Sequence, residues 1–102
     1  MKEYDLFVPL CYNDGTPIKS EKFQEIQSCL LEEFGGLTYF PQPNEGFWRL
    51  GDVTYRDEIV IYRVVTSQTR VARRFLTELK ERLKRELNQD EILIIEREVK
   101  TL

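Results

Sequence analysis

The densest group of side chains able to do chemistry lies between residues 48 and 58: Trp48, Arg49, Tyr55, Arg56, Asp57 and Glu58. A short turn at Gly51-Asp52 draws them together. An indole and a phenol can wall a small-molecule pocket, and Arg49 or Arg56 can clamp a carboxylate or phosphate in bidentate fashion. The same residues also read as a cross-strand aromatic pair, with Arg–Asp or Arg–Glu pairs at the base of a hairpin. That is the simpler reading. Asp57 and Glu58 are consecutive, so a strand points them to opposite faces and they cannot share acid–base work. The chain has no histidine, which excludes imidazole-ligated zinc or haem and every Ser-His or Cys-His nucleophile pair. Cys11 and Cys29 cannot form a CxxC redox pair or a self-contained cysteine zinc site, and each reads as a small packing residue. No catalytic residue, metal or cofactor is expected.

A second concentration of charge falls between residues 70 and 87, where seven basic residues meet three acidic ones. Arg70, Arg73, Lys80 and Lys84 would share one outer line of a helix, and a basic stripe can hold phosphates. Glu78, Glu81 and Glu86 interrupt it, and no aromatic residue is interleaved for base stacking. The segment from 21 to 33 carries Glu21, Glu25, Glu32 and Glu33, so two helices of opposite charge can complement each other instead. Nucleic acid is not the expected partner.

These groups must be positioned by strands and helices that the spacing of apolar residues outlines. Tyr4, Leu6, Val8 and Leu10 recur at period two and predict a strand, ended near Pro9 and the turn formers Asn13-Asp14-Gly15. Ser20 is the expected N-cap of a helix carrying Phe23, Ile26, Leu30 and Phe34 at spacings of three and four, stopped by Gly35-Gly36. A second strand starts at Leu37, is interrupted over 41–46 and resumes at Phe47. Its two prolines predict an edge position with a bulge or excursion. Val53 to Val65 is the longest strand candidate. A second helix from about Arg70 to Leu87 buries Val71, Ala72, Phe75, Leu76, Leu79, Leu83 and Leu87, and a last strand runs from Glu91 to about Val99.

The order β-α-β-β-α-β predicts one α+β domain over residues 1–102, a ferredoxin-like sandwich. It has a four-stranded antiparallel sheet with two helices on one face. Right-handed crossovers set the first strand between the third and fourth. Such a sheet should alternate apolar and polar residues, and its third strand does not. Val60, Tyr62 and Val64 share one face, and Ile59, Ile61 and Val65 the other. The fourth repeats this, with Ile92 and Ile94 opposing Leu93 and Ile95. Half of these residues facing water would make an apolar patch of several hundred Å². Covering about 500 Å² at about 25 cal/mol per Å² is worth on the order of 12 kcal/mol before association costs. A second copy packing sheet to sheet, as a homodimer, would cover it. So would loop 41–46 or the C-terminus folding over the patch.

A chain of 102 residues, 41% hydrophobic and 32% charged, is too apolar for disorder and lacks the apolar run of a membrane span. A net charge of −3 argues against broad affinity for nucleic acid or anionic membrane. The N-terminus lacks the apolar stretch of a signal peptide, so the expected location is cytoplasmic and the cysteines reduced.

Gly36-Leu37-Thr38, Gly46-x-Trp48-Arg49, Gly51, Arg56-Asp57 and Asn88-Gln89-Asp90-Glu91-Ile92-Leu93 resemble a family of small uncharacterised bacterial proteins. The family's pattern is Gly-Leu-Thr, Gly-x-Trp, an Arg-Glu step and a Gln-Glu-Ser-Val segment. The likeness covers residues 36 to 95. It implies a ferredoxin-like α+β fold without an assigned activity, and it singles out Trp48, Arg56, Asp57 and Gln89. Asp57 departs from it, standing where that family has Glu, and so does the absence of a signal sequence. Two functions follow from the sequence. One is a non-enzymatic homo-oligomeric module binding a protein partner or small ligand. The alternative is a small His-free enzyme with a pocket near Trp48, Tyr55 and Arg56.

Overall fold

The computed structural model describes residues 1–102, apart from the side chains at positions 42 and 43. Six elements follow in the expected order: β1 (Lys2–Pro9), α1 (Ser20–Phe34), β2 (Thr38–Leu50), β3 (Val53–Thr66), α2 (Thr69–Glu86) and β4 (Ile94–Glu98). The strands form one antiparallel sheet in the order β2-β3-β1-β4. This is the ferredoxin-like arrangement, with β1 between β3 and β4 and β2 at an edge.

The core lies between the helices and one face of the sheet. Tyr4, Leu6 and Val8 of β1 and Val60, Tyr62 and Val64 of β3 are buried there, against Ile26 and Leu30 of α1 and Ala72, Leu76, Leu79 and Leu83 of α2. Tyr62 stacks on Tyr39, its register partner in β2, at 4.7 Å, and its hydroxyl donates to the Phe23 carbonyl of α1 at 3.3 Å. Val71, expected in the α2 core stripe, is exposed. Residues 72, 76, 79 and 83 already fill the face that meets the sheet, and position 71 lies about a quarter turn away from it.

The helix ends follow local chemistry, with one displacement. The N-cap of α1 is Lys19 rather than Ser20, and it makes no side-chain capping bond. Its carbonyl instead accepts the Lys22 amide at 3.0 Å. At the other end Gly35 takes a left-handed φ of 76° and its amide donates to the Leu31 carbonyl at 2.8 Å. Asn88 does the same work after α2, with φ 52°. The helices are joined by Lys22 of α1 to Glu86 of α2 at 2.6 Å, the reverse of the expected polarity of acid on α1 and base on α2.

Two other expectations are corrected. Cys11 is exposed in an isolated bridge to Pro17, so it is not a packing residue, whereas Cys29 is half-buried against the core. β4 starts at Ile94, not Glu91: its ladder with β1 runs from Lys2–Glu98 to Leu6–Ile94, and ahead of it the Phe7 amide donates to the Leu93 carbonyl at 3.0 Å. Ile92 is nonetheless buried under the helices ahead of the strand, and Leu93 is exposed.

The longest strands overhang the sheet. β3 has 14 residues, of which the 8 from Ile59 to Thr66 pair with β1. The remaining 6, Val53 to Glu58, have ladder partners in β2, with the Glu58 carbonyl also accepting the Leu10 amide at 3.0 Å, and form an arm closed by the Gly51-Asp52 turn. The expected interruption of β2 is a register shift between Phe40 and Asn44. What the side chains at 42 and 43 cover lies outside the described residues.

The two glycines after α1 give a test of the cap. Neither would bring an added Cβ within 4 Å of another atom, but only Gly35 has a positive φ. Gly35→Ala is expected to cost about 1 kcal/mol in urea melts, the penalty of a left-handed alanine, and Gly36→Ala close to nothing.

Candidate functional site

Strand alternation assigns the side of the hairpin that continues the uncovered sheet face. Val60, Tyr62 and Val64 point to the helices, so Val53, Tyr55, Asp57, Ile59, Ile61, Arg63 and Val65 share the opposite face. Register places Leu50, Trp48, Gly46, Asn44 and Phe40 beside them from β2, and Pro9, Phe7, Asp5 and Glu3 from β1. An apolar stripe therefore runs from the hairpin tip onto the sheet. Its outer end is bare: Leu50 is 64% exposed, Val53 52%, Trp48 48% and Tyr55 40%.

The sequence-singled residues fall into two groups. Trp48 and Tyr55 are direct cross-strand partners whose rings stack at 4.3 Å, 15° from parallel. The Trp48 indole N–H donates to Asp57 Oδ2 at 2.8 Å, which ties Asp57 to the same face. Arg49 and Arg56 lie on the reverse face of the arm. Arg49 donates to the Gly51 carbonyl at 3.0 Å, and Arg56 pairs with Glu45 and, at 3.6 Å, with Glu58. The aromatic pair and the Arg–Glu pairs are the geometry of a hairpin base. Gln89 stands in the helix layer, donating to Asn13 Oδ1 at 3.2 Å and to the Leu87 carbonyl at 3.1 Å, and so belongs to neither face of the arm. A hollow of about 290 Å³ lies instead on the helices, lined by Cys29, Phe75, Leu79 and the charged Glu78, Arg82 and Arg85.

Sequence reasoning missed the polar end of the stripe. Asp5, only 2% exposed, accepts two bonds from Arg63, at 2.8 and 3.0 Å, and one from Arg97 at 2.9 Å. Glu3 bridges the same two arginines at 2.9 and 3.0 Å. The four charges balance, and the Arg63 guanidinium also lies 5.0 Å from the Phe40 ring centre. The alternation of acid and apolar residues in Glu3-Tyr4-Asp5-Leu6 was the available signal, but the arginines come from 58 and 92 residues away.

The two arginines, Arg63 first, hold the Asp5 carboxyl below its ordinary value against the opposing pull of burial. On the helix side, Arg73 and then Tyr4 hold Glu96 down to about 2, with Arg73 Nε and the Tyr4 hydroxyl both donating to Oε1 at 2.7 Å. Burial, followed by Glu96, pushes the Tyr4 phenol up to about 12. Other basic residues of α2 are engaged too, among them Lys80 with Glu91 at 2.9 Å and Arg82 with Glu86 at 3.4 Å. Among the described residues no group of three or more Asp, Glu, Cys or His is placed to hold a metal, and no helix is long and apolar enough to cross a membrane.

Both depressed carboxylates stabilise the fold fully above their unfolded values and lose that contribution as they protonate. For Glu96 the loss runs from about pH 4.5 down to about pH 2; for Asp5 it begins below its ordinary value of 3.8. Asp5→Asn is expected to cost about 2 kcal/mol at neutral pH, less than a fully buried pair because both arginines keep Glu3 and water. Chemical denaturation against pH should also show a shallower acid limb in this variant.

No family model matches the chain, and no curated protein matches it. Solved structures do. A mutant of CutA1 from Pyrococcus horikoshii OT3 is 19% identical, with a TM-score of 0.62 over 100% of this chain and 86% of that one. CutA from the same organism in 3M guanidine hydrochloride matches at 0.61, with 19% identity over 100% and 87%. A phage SAM lyase in complex with S-methyl-5'-thioadenosine is 11% identical, with a TM-score of 0.65 over 95% of this chain and 80% of that one. At these identities the likeness is one of fold: the chain is an α+β protein of the ferredoxin-like arrangement.

Proposed function

We propose that this protein is a cytoplasmic, non-enzymatic, homo-oligomeric module that binds a protein partner or small ligand, its open sheet face covered by a second copy of the chain. The observation that carries this reading is the stripe of Leu50, Val53, Trp48 and Tyr55, all exposed, continuous with half-buried Ile59, Ile61, Phe7 and Phe40. A monomer that left it bare would expose a large contiguous apolar surface to water. The helices cover the other face of the sheet where β3 pairs with β1, while the arm is exposed on both faces, Phe47 on its reverse side at 65%; a second copy would cover the stripe.

An enzymatic reading would draw on Trp48, Tyr55 and Arg56, with Arg49 and Asp57 as further ligand contacts. It has less support. Arg56 is on the other face of the arm from the rings, and Asp57 is engaged by Trp48. The phage lyase holds S-methyl-5'-thioadenosine, but its likeness to this chain is one of fold. The aromatic pair would serve equally as a ligand wall within an oligomer.

Light scattering coupled to size exclusion tests the first reading. The wild-type chain is expected to be oligomeric at micromolar concentration, and Leu50→Asp with Val53→Asp to be monomeric. Because both residues lie at the exposed tip, folding stability should change by less than about 0.5 kcal/mol per site. A monomeric wild type contradicts the reading. A thermal-shift screen separates the second: a ligand-induced shift lost in both Trp48→Ala and Arg56→Ala would favour a pocket at the arm.

A further inference from the structure

Ile59 has six residues of β3 on its tip side, Val53 to Glu58, and seven on its sheet side, Val60 to Thr66. On the open face Val53, Tyr55 and Asp57 lie toward the tip, and Ile61, Arg63 and Val65 toward the sheet. At about 3.3 Å per residue each half spans about 20 Å. The arm half presents exposed apolar surface, and the sheet half presents Ile61, Phe7 and Phe40 beside the Glu3–Asp5–Arg63–Arg97 cluster. The two halves are alike in length.

We propose that two copies meet open face to open face about a two-fold axis passing close to Ile59, so that the arm of each lies along the sheet half of the other. This rests on the self-association proposed above and gives it a register. In a two-fold contact residue i meets j wherever j meets i. Counting outward from Ile59 pairs Asp57 with Ile61, Tyr55 with Arg63 and Val53 with Val65 across the interface.

The chemistry of these pairs agrees with the count. Val53 and Val65 are both exposed valines, 52% and 41%. Tyr55, stacked on Trp48, comes over the Arg63 guanidinium, which already lies on the Phe40 ring. The arginine is then held between aromatic faces from the two copies, a cation–π arrangement that strengthens as water leaves. Asp57 keeps the bond from the Trp48 indole and arrives one residue pair from the partner's Arg63. Glu3 and Asp5 balance Arg63 and Arg97, and two such clusters bring no net charge to the contact. Aligned packing of twisted sheets tolerates the roughly 30° between strand directions that such a pairing gives. A head-to-tail stacking of the same faces leaves an arm overhanging at each end and does not close.

Cross-linking between single-cysteine chains tests the register. In a Cys11→Ser, Cys29→Ser background, Val53→Cys and Val65→Cys are made as separate chains and treated with a short thiol cross-linker. In an equimolar mixture about half of the dimers are mixed by random pairing, and these are expected to become a covalent dimer of twice the 12.2 kDa chain mass, with more forming as subunits exchange. Each chain alone should stay monomeric on a denaturing gel, because the axis holds like positions apart. For Val53 that separation is about 40 Å. Val71→Cys, equally exposed but on α2, should not cross-link to Val53→Cys. Self-cross-linking of Val53→Cys, or no product in the mixture while light scattering still reports an oligomer, overturns this axis and leaves self-association standing. A monomer by light scattering removes both.

Discussion

Strand length is the constraint from which the rest of this molecule follows. A strand of 14 residues beside one of 8 must project beyond the sheet, and β2 follows it there because the Gly51-Asp52 turn fixes their pairing. The projection is polar on one face, with Arg49, Arg56, Glu45 and Glu58, and not on the other, as it would be in a solvated loop. It carries Trp48, Tyr55, Leu50 and Val53 on the face that no helix of this chain reaches, and it lengthens the molecule to 43 × 29 × 24 Å. Both helices are spent on the opposite face, where Ile26, Leu30, Leu76, Leu79 and Leu83 close the core.

The open face is not uniformly apolar. Phe7, Phe40, Ile59 and Ile61 give way at the β1–β4 side to Asp5 and Glu3 between two arginines. A buried carboxylate is costly without partners, and this one has three charge-assisted bonds. The cluster gives the stripe an orientation, with an apolar end at the tip and a charged end on the sheet. A face with two different ends distinguishes one register of association from another, which a uniform apolar surface does not.

Much of this was legible in the sequence, and the reasons are local. The two-residue turn dictates that Leu50 faces Val53 and Trp48 faces Tyr55, so the aromatic pair followed from counting. The buried helix stripe at Ile26 and Leu30 followed from periodicity, and the edge position of β2 from its prolines. What failed depends on long-range partners. The Asp5 cluster joins residues from three strands, and nothing near Asp5 in the chain announces Arg63 or Arg97. The beginning of β4 was misplaced because apolar Ile92 serves the core from a loop. Gln89, drawn toward the site by a sequence pattern, is held in the helix layer by Asn13. A motif aligns residues along the chain, but only the fold decides which layer each one joins.

Trp48 is the one tryptophan in the chain and sits in the middle of the bare arm, which makes it a direct reporter of whether that surface is covered. The decisive measurement is acrylamide quenching of its fluorescence at micromolar protein concentration. A stripe buried against a second copy predicts quenching several-fold weaker than for free indole. Quenching as strong as expected for a ring 48% exposed would show that the arm stands open to water and contradict the covered face.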